Sequence, residues 1–383
     1  MVKLRGSSWD HPRGHAPMVA TAMEYEGIRN GEVSIEWVPR TLKEFGMMSI
    51  EELAHEFDLI VMDHPHIGTM AESGSVVPLE DYLDAATLDA LAEGSPGRSH
   101  QSYRYGGRQW AFAIDTACQT SAWRPDLLDV APVTWTDVMA LATTGLVMWP
   151  LCAVDAAASF MTLTQAQGQE CAITRDRFVE RDAGRWALGT MHEVARHSDP
   201  QCLEINPIHM LEALAHSDDF SYAPLSFCYV NYSRDDHTGK QVAFGDIPSN
   251  APGATARGAL LGGAGLAISS FSDSIDEALA YANYVASGEV QSGLYYSSGG
   301  QPAHHAAWSS LDLDQRSGGF FSSVGGVLER SWTRPNGPQF AEFQNSMIDL
   351  FDDWFAAAQT PDSFLDRLDD IYRSSLTASG LVP

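Results

Sequence analysis

The run Leu59-Ile60-Val61-Met62 is the part of this chain with the fewest ways to fold. It has no polar face. A strand that is apolar on both sides must be covered on both sides, as in a parallel sheet flanked by helices. Its neighbours agree. Residues 2–6 read as a first strand running into a polar loop over 7–14. Met18, Val19, Ala22, Met23 and Ile28 recur at close to helical spacing over 16–29. Val33, Ile35 and Trp37 alternate as in a half-buried strand. Ser49 stands where it would cap a helix through Phe57, with Glu52 as capping-box partner. Strand, helix, strand, helix, strand at this pace is a doubly wound α/β domain.

The chain has 383 residues, more than one hydrophobic core usually serves, so two domains are expected. Lys and Arg number 23 against 50 Asp and Glu, a net charge of −27. Such a surface repels phosphate backbones and anionic lipid, which argues against nucleic acid and membrane surfaces as partners. Lys3, Lys43 and Lys240 are the only lysines; the other cations are arginines, suited to bidentate contacts. No apolar stretch reaches the roughly 18 residues of a membrane span. The opening residues lack the apolar segment and cleavage site of a secretory signal. That reads as a cytoplasmic protein, or as a periplasmic or extracellular one whose leader was removed. Cys118, Cys152, Cys171, Cys202 and Cys228 are odd in number and widely spaced, with no C-x-x-C. This argues against a disulfide framework and a structural zinc, and for cytosolic or incidental thiols.

Further along, a hairpin is expected around Gly106-Gly107, then strands over 110–114 and 119–123 flanking Asp115–Cys118. Residues 124–126 start a short helix, and Thr134 or Thr136 caps another through Leu141. Helices are expected over 156–167, 173–197, 208–215 and 273–287, a strand near 227–232 and a glycine-punctured strand over 258–268. A loop covers 295–308, and a helical, acidic tail runs over 340–372.

The segments VVPLEDYLD (76–84), YGGRQWAFAIDTACQTSAWRPDLL (105–128), VTWTDVMALA (133–142), LLGGAGLAISS (260–270) and SGGQPAHHAAW (298–308) resemble, in this order, the family 1 extracellular solute-binding proteins. These are the carbohydrate-type receptors of ABC importers. The resemblance implies a two-lobe, class II periplasmic-binding-protein-like α/β fold with the ligand cleft between the lobes. It implies crossings near 111–115 and 258–270, hence lobe one at 1–112 plus 256–310 and lobe two at 113–255 plus 311–383. It also implies an importer permease as partner.

Asp10-His11-Pro12 and Asp63-His64-Pro65 both stand just past the carboxyl end of an expected strand, where open parallel sheets bind ligands. The proline after each histidine favours extended backbone there. With Trp9, Arg13 and His66 they compose a rim. Arg13 suits a carboxylate or phosphate. His11, His64 and His66 suit ligand oxygens, or proton transfer with Asp10 or Asp63 orienting the ring. Asx turns and packed rings are the competing structural role. Their irregular spacing argues against a metal, and neither metal nor cofactor is expected. Asp115, Thr116 and Gln119 offer hydrogen bonds to ligand hydroxyls at the first crossing. Cys118 would be a nucleophile only with a depressed thiol pKa; otherwise it is a small buried group. Tyr229 and Tyr232 are aromatic candidates for stacking, and aiming both one way needs a bulge or a strand end. The stretch Gly262–Gly265 lacks the Lys-Ser/Thr of a phosphate loop and reads as close backbone approach. Gly263 and, through the resemblance, His304 complete the set.

Two functions compete. One is a binding protein that closes two lobes on a small polar ligand: a sugar, polyol or hydroxy acid. The other is a cytosolic enzyme on the same scaffold. It would use His11, His64 and Asp63 for lyase, isomerase, cyclase or hydrolase chemistry on a carboxylate- or acyl-bearing substrate.

Overall fold

The computed structural model describes residues 1–40, 50–172, 174–355 and 359–378. They divide into two compact units. Unit 1 comprises Met1–Ala117, Gly262–Gln315 and Thr333–Pro338; unit 2 comprises Cys118–Leu261, Arg316–Trp332 and Gln339–Pro383. The expected lobe boundaries at 112/113, 255/256 and 310/311 lie five or six residues before the unit boundaries, the expected crossing over 258–270 includes the one at 261/262, and the return of 333–338 to unit 1 was not anticipated.

Unit 1 opens with β1 (Val2–Trp9), α1 (Pro12–Ile28), β2 (Val33–Arg40), α2 (Ile50–Glu56) and β3 (Leu59–Met62). Strands β1 and β2 pair in parallel from Val2↔Val33 to Trp9↔Arg40, and β1 also pairs in parallel with β3 through Gly6↔Leu59 and Ser7↔Ile60. The apolar run is covered on both faces, as its composition requires. Leu59 and Val61 enter a core with Met18, Tyr25, Trp37 and Tyr281, while Ile60 and Met62 enter a second core with Phe57, Met70 and Tyr103. Successive side chains of one strand thus supply opposite layers.

The polar loop expected over 7–14 is mostly regular structure. Strand β1 runs on to Trp9 because its serines find partners inside: Ser8 Oγ lies 2.9 Å from His15 Nδ1, and Ser7 accepts from the Arg40 guanidinium. Only Asp10 and His11 separate β1 from α1. Ser49, the expected cap of α2, lies outside the described residues.

Past β3 come α3 (Ile67–Glu72), α4 (Ala85–Gly94) and the hairpin β4 (Arg104–Tyr105) with β5 (Arg108–Gln109). The long strand β6 (Phe112–Trp123) starts in unit 1 and ends in unit 2. The sequence broke it at Asp115–Cys118; the strand is continuous because those polar groups are satisfied internally. In unit 2, the end of β6 pairs antiparallel with β7 (Tyr222–Phe227) and β8 (Ala243–Gly245). There α5 (Trp135–Ala142) starts from a Thr134–Asp137 capping box. Helices α6 (Ala153–Ala166), α7 (Arg181–Ala195) and α8 (Pro207–His216) follow. The expected start of α7 at Ile173 lies outside the described residues, and Arg181 is the first helical residue. No helix starts at 124–126; residues 125–127 form a turn.

Strand β9 (Leu261–Ile268) lies antiparallel to β3, with Met62↔Gly265 and Leu59↔Ile268. Unit 1 is completed by α9 (Ile275–Ala286), a π turn at Gln291–Tyr295 and α10 (His305–Trp308), so the expected 295–308 loop is partly helical. The tail is two helices, α11 (Pro338–Trp354) and α12 (Pro361–Ala378). Phe351 and Phe364 of the tail pack tilted and edge-on against Phe160 of α6 with ring centroids 5.6 and 6.0 Å away, which joins the tail to the unit 2 core. No helix among the described residues is long and apolar enough to cross a membrane.

Gly263 sits at φ +115°, and a Cβ there would meet the Asp115 carbonyl oxygen at 2.3 Å. Gly31 also has positive φ (+74°) but faces open space. Gly263→Ala should therefore lower unfolding stability by about 2 kcal/mol or more, and Gly31→Ala by about 1 kcal/mol, in urea titrations. Equal costs would show that the close approach at Gly263 is not sterically tight.

Candidate functional site

Because β1 and β3 are parallel neighbours, their carboxyl ends emerge on one edge of the unit 1 sheet. Both Asp-His-Pro loops leave from that edge, yet the same tripeptide does different work in each.

In the first, His11 is extended (φ −152°, ψ 145°) and caps α1: its Nδ1 accepts from the Arg13 amide at 3.1 Å. Pro12 then occupies the first helical position, where no amide proton is needed. Burial, and then the charge of Arg13, lower the His11 pKa to about 4. A neutral ring is what the cap requires. The Trp9 indole is buried and leans on Gly14, where any Cβ would lie 2.2 Å from the ring. Trp9 is therefore a core residue. Asp10 is exposed.

Arg13 does not stand open for a ligand anion. Its Nε and Nη2 grip Asp115 Oδ2 and Oδ1 at 2.8 and 2.5 Å, with both side chains almost fully buried. Burial pushes the Asp115 carboxyl up, and the guanidinium fork opposes it. Thr116 pairs its hydroxyl with Ser99, and its carbonyl accepts from Gln301 Nε2 at 2.7 Å. Gly263 packs its backbone on this same stretch. Asp115, Thr116 and Gly263 thus form one internal clamp with Arg13.

In the second loop the carboxylate is the cap. Asp63 Oδ1 accepts from the His64 amide at 2.8 Å and stands 3.1 Å from His64 Nδ1. Its Oδ2 accepts from Arg334 Nη2 at 2.8 Å. Burial works against charge on Asp63, but Arg334 and His64 outweigh it and hold the carboxyl well below the usual range. His64 opens a 3-10 turn (His64–His66), so the backbone there is helical rather than extended as expected. The ring is buried and meets Tyr103 edge-on, centroids 6.4 Å apart. Burial and Arg334 lower its pKa against the pull of Asp63, so it is neutral. His64 Nε2 is buried with no hydrogen-bond partner among the described residues. His66, half-buried, is likewise lowered by burial.

Arg334 was missed by sequence reasoning; it lies on the short 333–338 return, and only its place before Pro335 marks it. Tyr103 and Tyr295 were missed too. Their phenols are buried within the field of Asp115, and the Tyr295 hydroxyl has no partner among the described residues.

His304 stands apart in unit 1. Its Nδ1 caps α10, accepting from the Ala306 amide at 3.0 Å. It borders an open hollow of about 440 Å³ with Asp84, Thr87, Asn283 and Ser287. The other candidates belong to unit 2. The Gln119 side-chain oxygen accepts from Thr162, and its amide donates to Leu260 at 2.9 Å. Tyr229 precedes a 3-10 turn (Val230–Tyr232) rather than lying in a strand. That turn brings the Tyr229 and Tyr232 rings to 6.3 Å, edge to face, with the Tyr232 hydroxyl donating to Glu212 at 2.8 Å. Cys118 is fully buried, and burial raises its thiol well above the usual range, so it is no activated nucleophile. Asp155, unremarked in the sequence, is buried at the start of α6 with its pKa pushed up to about 7. Among the described residues no group of three His, Cys, Asp or Glu is arranged to hold a metal.

Comparison with known proteins finds the fold. A solute-binding protein of Agrobacterium radiobacter K84 in complex with ribitol superposes with TM-score 0.82 at 18% identity, covering 97% of this chain and 98% of that one. The maltose-bound MalE3 protein of T. maritima gives 0.82 at 17% identity, covering 99% and 100%. A solute-binding protein of Thermotoga lettingae bound to α-D-tagatose gives 0.79 at 15%, covering 98% and 100%. The chain therefore has the two-lobe periplasmic-binding-protein-like fold, as the resemblance implied. No family model matches it, and no curated protein sequence does.

Arg13→Met leaves a buried carboxylate without its cation and should cost about 3–5 kcal/mol in urea unfolding, whereas Arg13→Met with Asp115→Leu should recover much of that loss. Simple additivity of the two single changes would refute the clamp. The His11 pKa is lower in the folded chain than in the unfolded one, so between about pH 6.5 and 4 the unfolded state binds more protons. Stability is thus fully present above pH 6.5 and drains as pH falls toward 4. His11→Asn, which keeps a capping acceptor, should flatten that part of the stability–pH curve.

Proposed function

We propose that this chain is a solute-binding protein for a small neutral polyhydroxyl ligand, a sugar or polyol, which it delivers to an ABC importer permease. Delivery of that kind sets it to work outside the cytoplasmic membrane. The observation that carries the reading is the full-length likeness to proteins solved with ribitol, maltose and tagatose. Residue chemistry in unit 1 agrees with a neutral ligand. Asp63 is engaged by Arg334, Asp115 by Arg13, and His64 is neutral with a ring nitrogen still to be satisfied. A buried polar atom without a partner is rare enough to ask for one, and a ligand hydroxyl supplies it. A hydroxy acid is less suited, because the two guanidiniums at these loops already hold protein carboxylates. None of the comparisons supports the enzyme reading.

The test is a thermal-shift screen of the full chain against pentitols, hexoses, maltodextrins and hydroxy acids, followed by calorimetric titration. A sugar or polyol should raise the melting point in proportion to its occupancy, and without turnover. His64→Ala should weaken that ligand about tenfold, the worth of one buried hydrogen bond, with His64→Gln losing less. If hydroxy acids alone stabilise the protein, or if His64→Ala binds as tightly as the parent, the assignment of class or of residue is wrong.

A further inference from the structure

The pairing of β6 with β7 sets Gln119 opposite Phe227 and Thr120 opposite Ser226. One step further along the same register, Cys118 faces Cys228. The Cys228 amide donates to the Cys118 carbonyl at 3.1 Å, so the ladder extends through this pair. Both residues are fully buried, and the Cys228 thiol is among the neighbours that, with burial, raise the Cys118 thiol. Directly opposed residues of an antiparallel pair have Cα atoms about 4.5–5.5 Å apart, with side chains on the same face. That lies inside the roughly 4.4–6.8 Å span a disulfide bridges. The other three cysteines have different company: Cys152 donates to Asp155 at 3.1 Å, Cys171 lies 3.4 Å from Thr164 Oγ1, and Cys202 accepts from the Trp149 amide at 3.4 Å.

We propose that Cys118 and Cys228 are a cross-strand disulfide pair, closed by thiol–disulfide exchange with a donor of the oxidised-glutathione class. One thiolate attacks the donor and releases one donor thiol; the second thiolate then displaces the other. Net, the pair loses two protons and two electrons, and the donor is reduced to two thiols. The bridge would staple the middle of unit 2 by closing a loop of about 110 residues, a long loop and so a large restriction on the unfolded chain. Burial and the raised thiol pKa make exchange slow in the folded chain. Closure therefore belongs to folding, or to openings of the strand ends. The odd cysteine count is then one pair and three bystanders. The inference holds whatever the ligand.

The experiment refolds the full chain in oxidised and reduced glutathione, and separately in dithiothreitol, then alkylates under denaturing conditions and digests without reduction. Oxidative refolding should leave three alkylatable thiols where dithiothreitol leaves all five, with one cross-linked peptide pair containing Cys118 and Cys228. The oxidised form should melt higher, and Cys228→Ser and Cys118→Ala should each abolish that gain while Cys152→Ser keeps it. Five alkylated thiols after oxidative refolding, or a cross-link joining any other pair, would overturn the proposal; the parent chain alone decides this even where a variant does not fold.

Discussion

The buried pair between Arg13 and Asp115 is the interaction on which unit 1 turns. It joins the first turn of α1 to β6, two elements about 100 residues apart in sequence. Taking both charges out of water is costly, and only a two-pronged geometry at full burial offsets it. Other features follow from it. The arginine must emerge where α1 starts, which requires the His11 cap and Pro12 to set the helix origin. The aspartate must stay in the strand, which keeps β6 unbroken. The neighbouring chain must come close, which requires Gly263. A single electrostatic contact thus explains a cap, a continuous strand and a glycine that a local reading treats separately.

That dependence shows why some of the architecture could be read directly and some could not. The two-sided burial of Leu59–Met62 and the alternation of Val33, Ile35 and Trp37 are local patterns, and they led to the parallel strands β1, β2 and β3, though not to the antiparallel β9 beside β3. Of the two caps the sequence offered for its helix, Thr134 and Thr136, Thr134 is the one, in a capping box with Asp137 three residues on. The break assigned at Asp115–Cys118 was wrong because the partner that lets a carboxylate sit inside a strand lies far away in sequence. The loop assigned to Ser7–Gly14 failed for the same reason: Ser7 and Ser8 are satisfied by Arg40 and His15. Arg334 had little legible signal beyond its place before Pro335, since its role depends on a six-residue return to unit 1.

The repeated Asp-His-Pro tripeptide shows the limit of motif reading more sharply. Its topological position was legible, because both copies follow neighbouring parallel strands. Its chemistry was not. In one copy the imidazole accepts a helix amide and the carboxylate is exposed; in the other the carboxylate accepts the amide and the imidazole is buried. Which side chain turns inward is decided by the next element, a full helix with Arg13 in the first case and a 3-10 turn with Arg334 behind it in the second. Identical residues at equivalent positions therefore need not share a role, and of the two copies only the second has a ring nitrogen buried without a partner among the described residues.

The acidity of the chain bears on what such an edge can hold. A net charge of −27 disfavours an anionic ligand at long range, and salt would weaken that effect. At short range the arginines of these loops are already matched by carboxylates, so the edge offers little net charge. His64 and His66 are kept neutral by burial, so their donor and acceptor roles are steady around neutral pH. A neutral polyol loses little by entering such surroundings, since each hydroxyl both donates and accepts and can adapt to whichever tautomer the ring presents. A carboxylate would have to displace Asp63 or Asp115 from its arginine, uncovering a protein charge in order to pair its own. The proposed choice of an uncharged, hydroxyl-rich ligand rests on how the protein has spent its own cations.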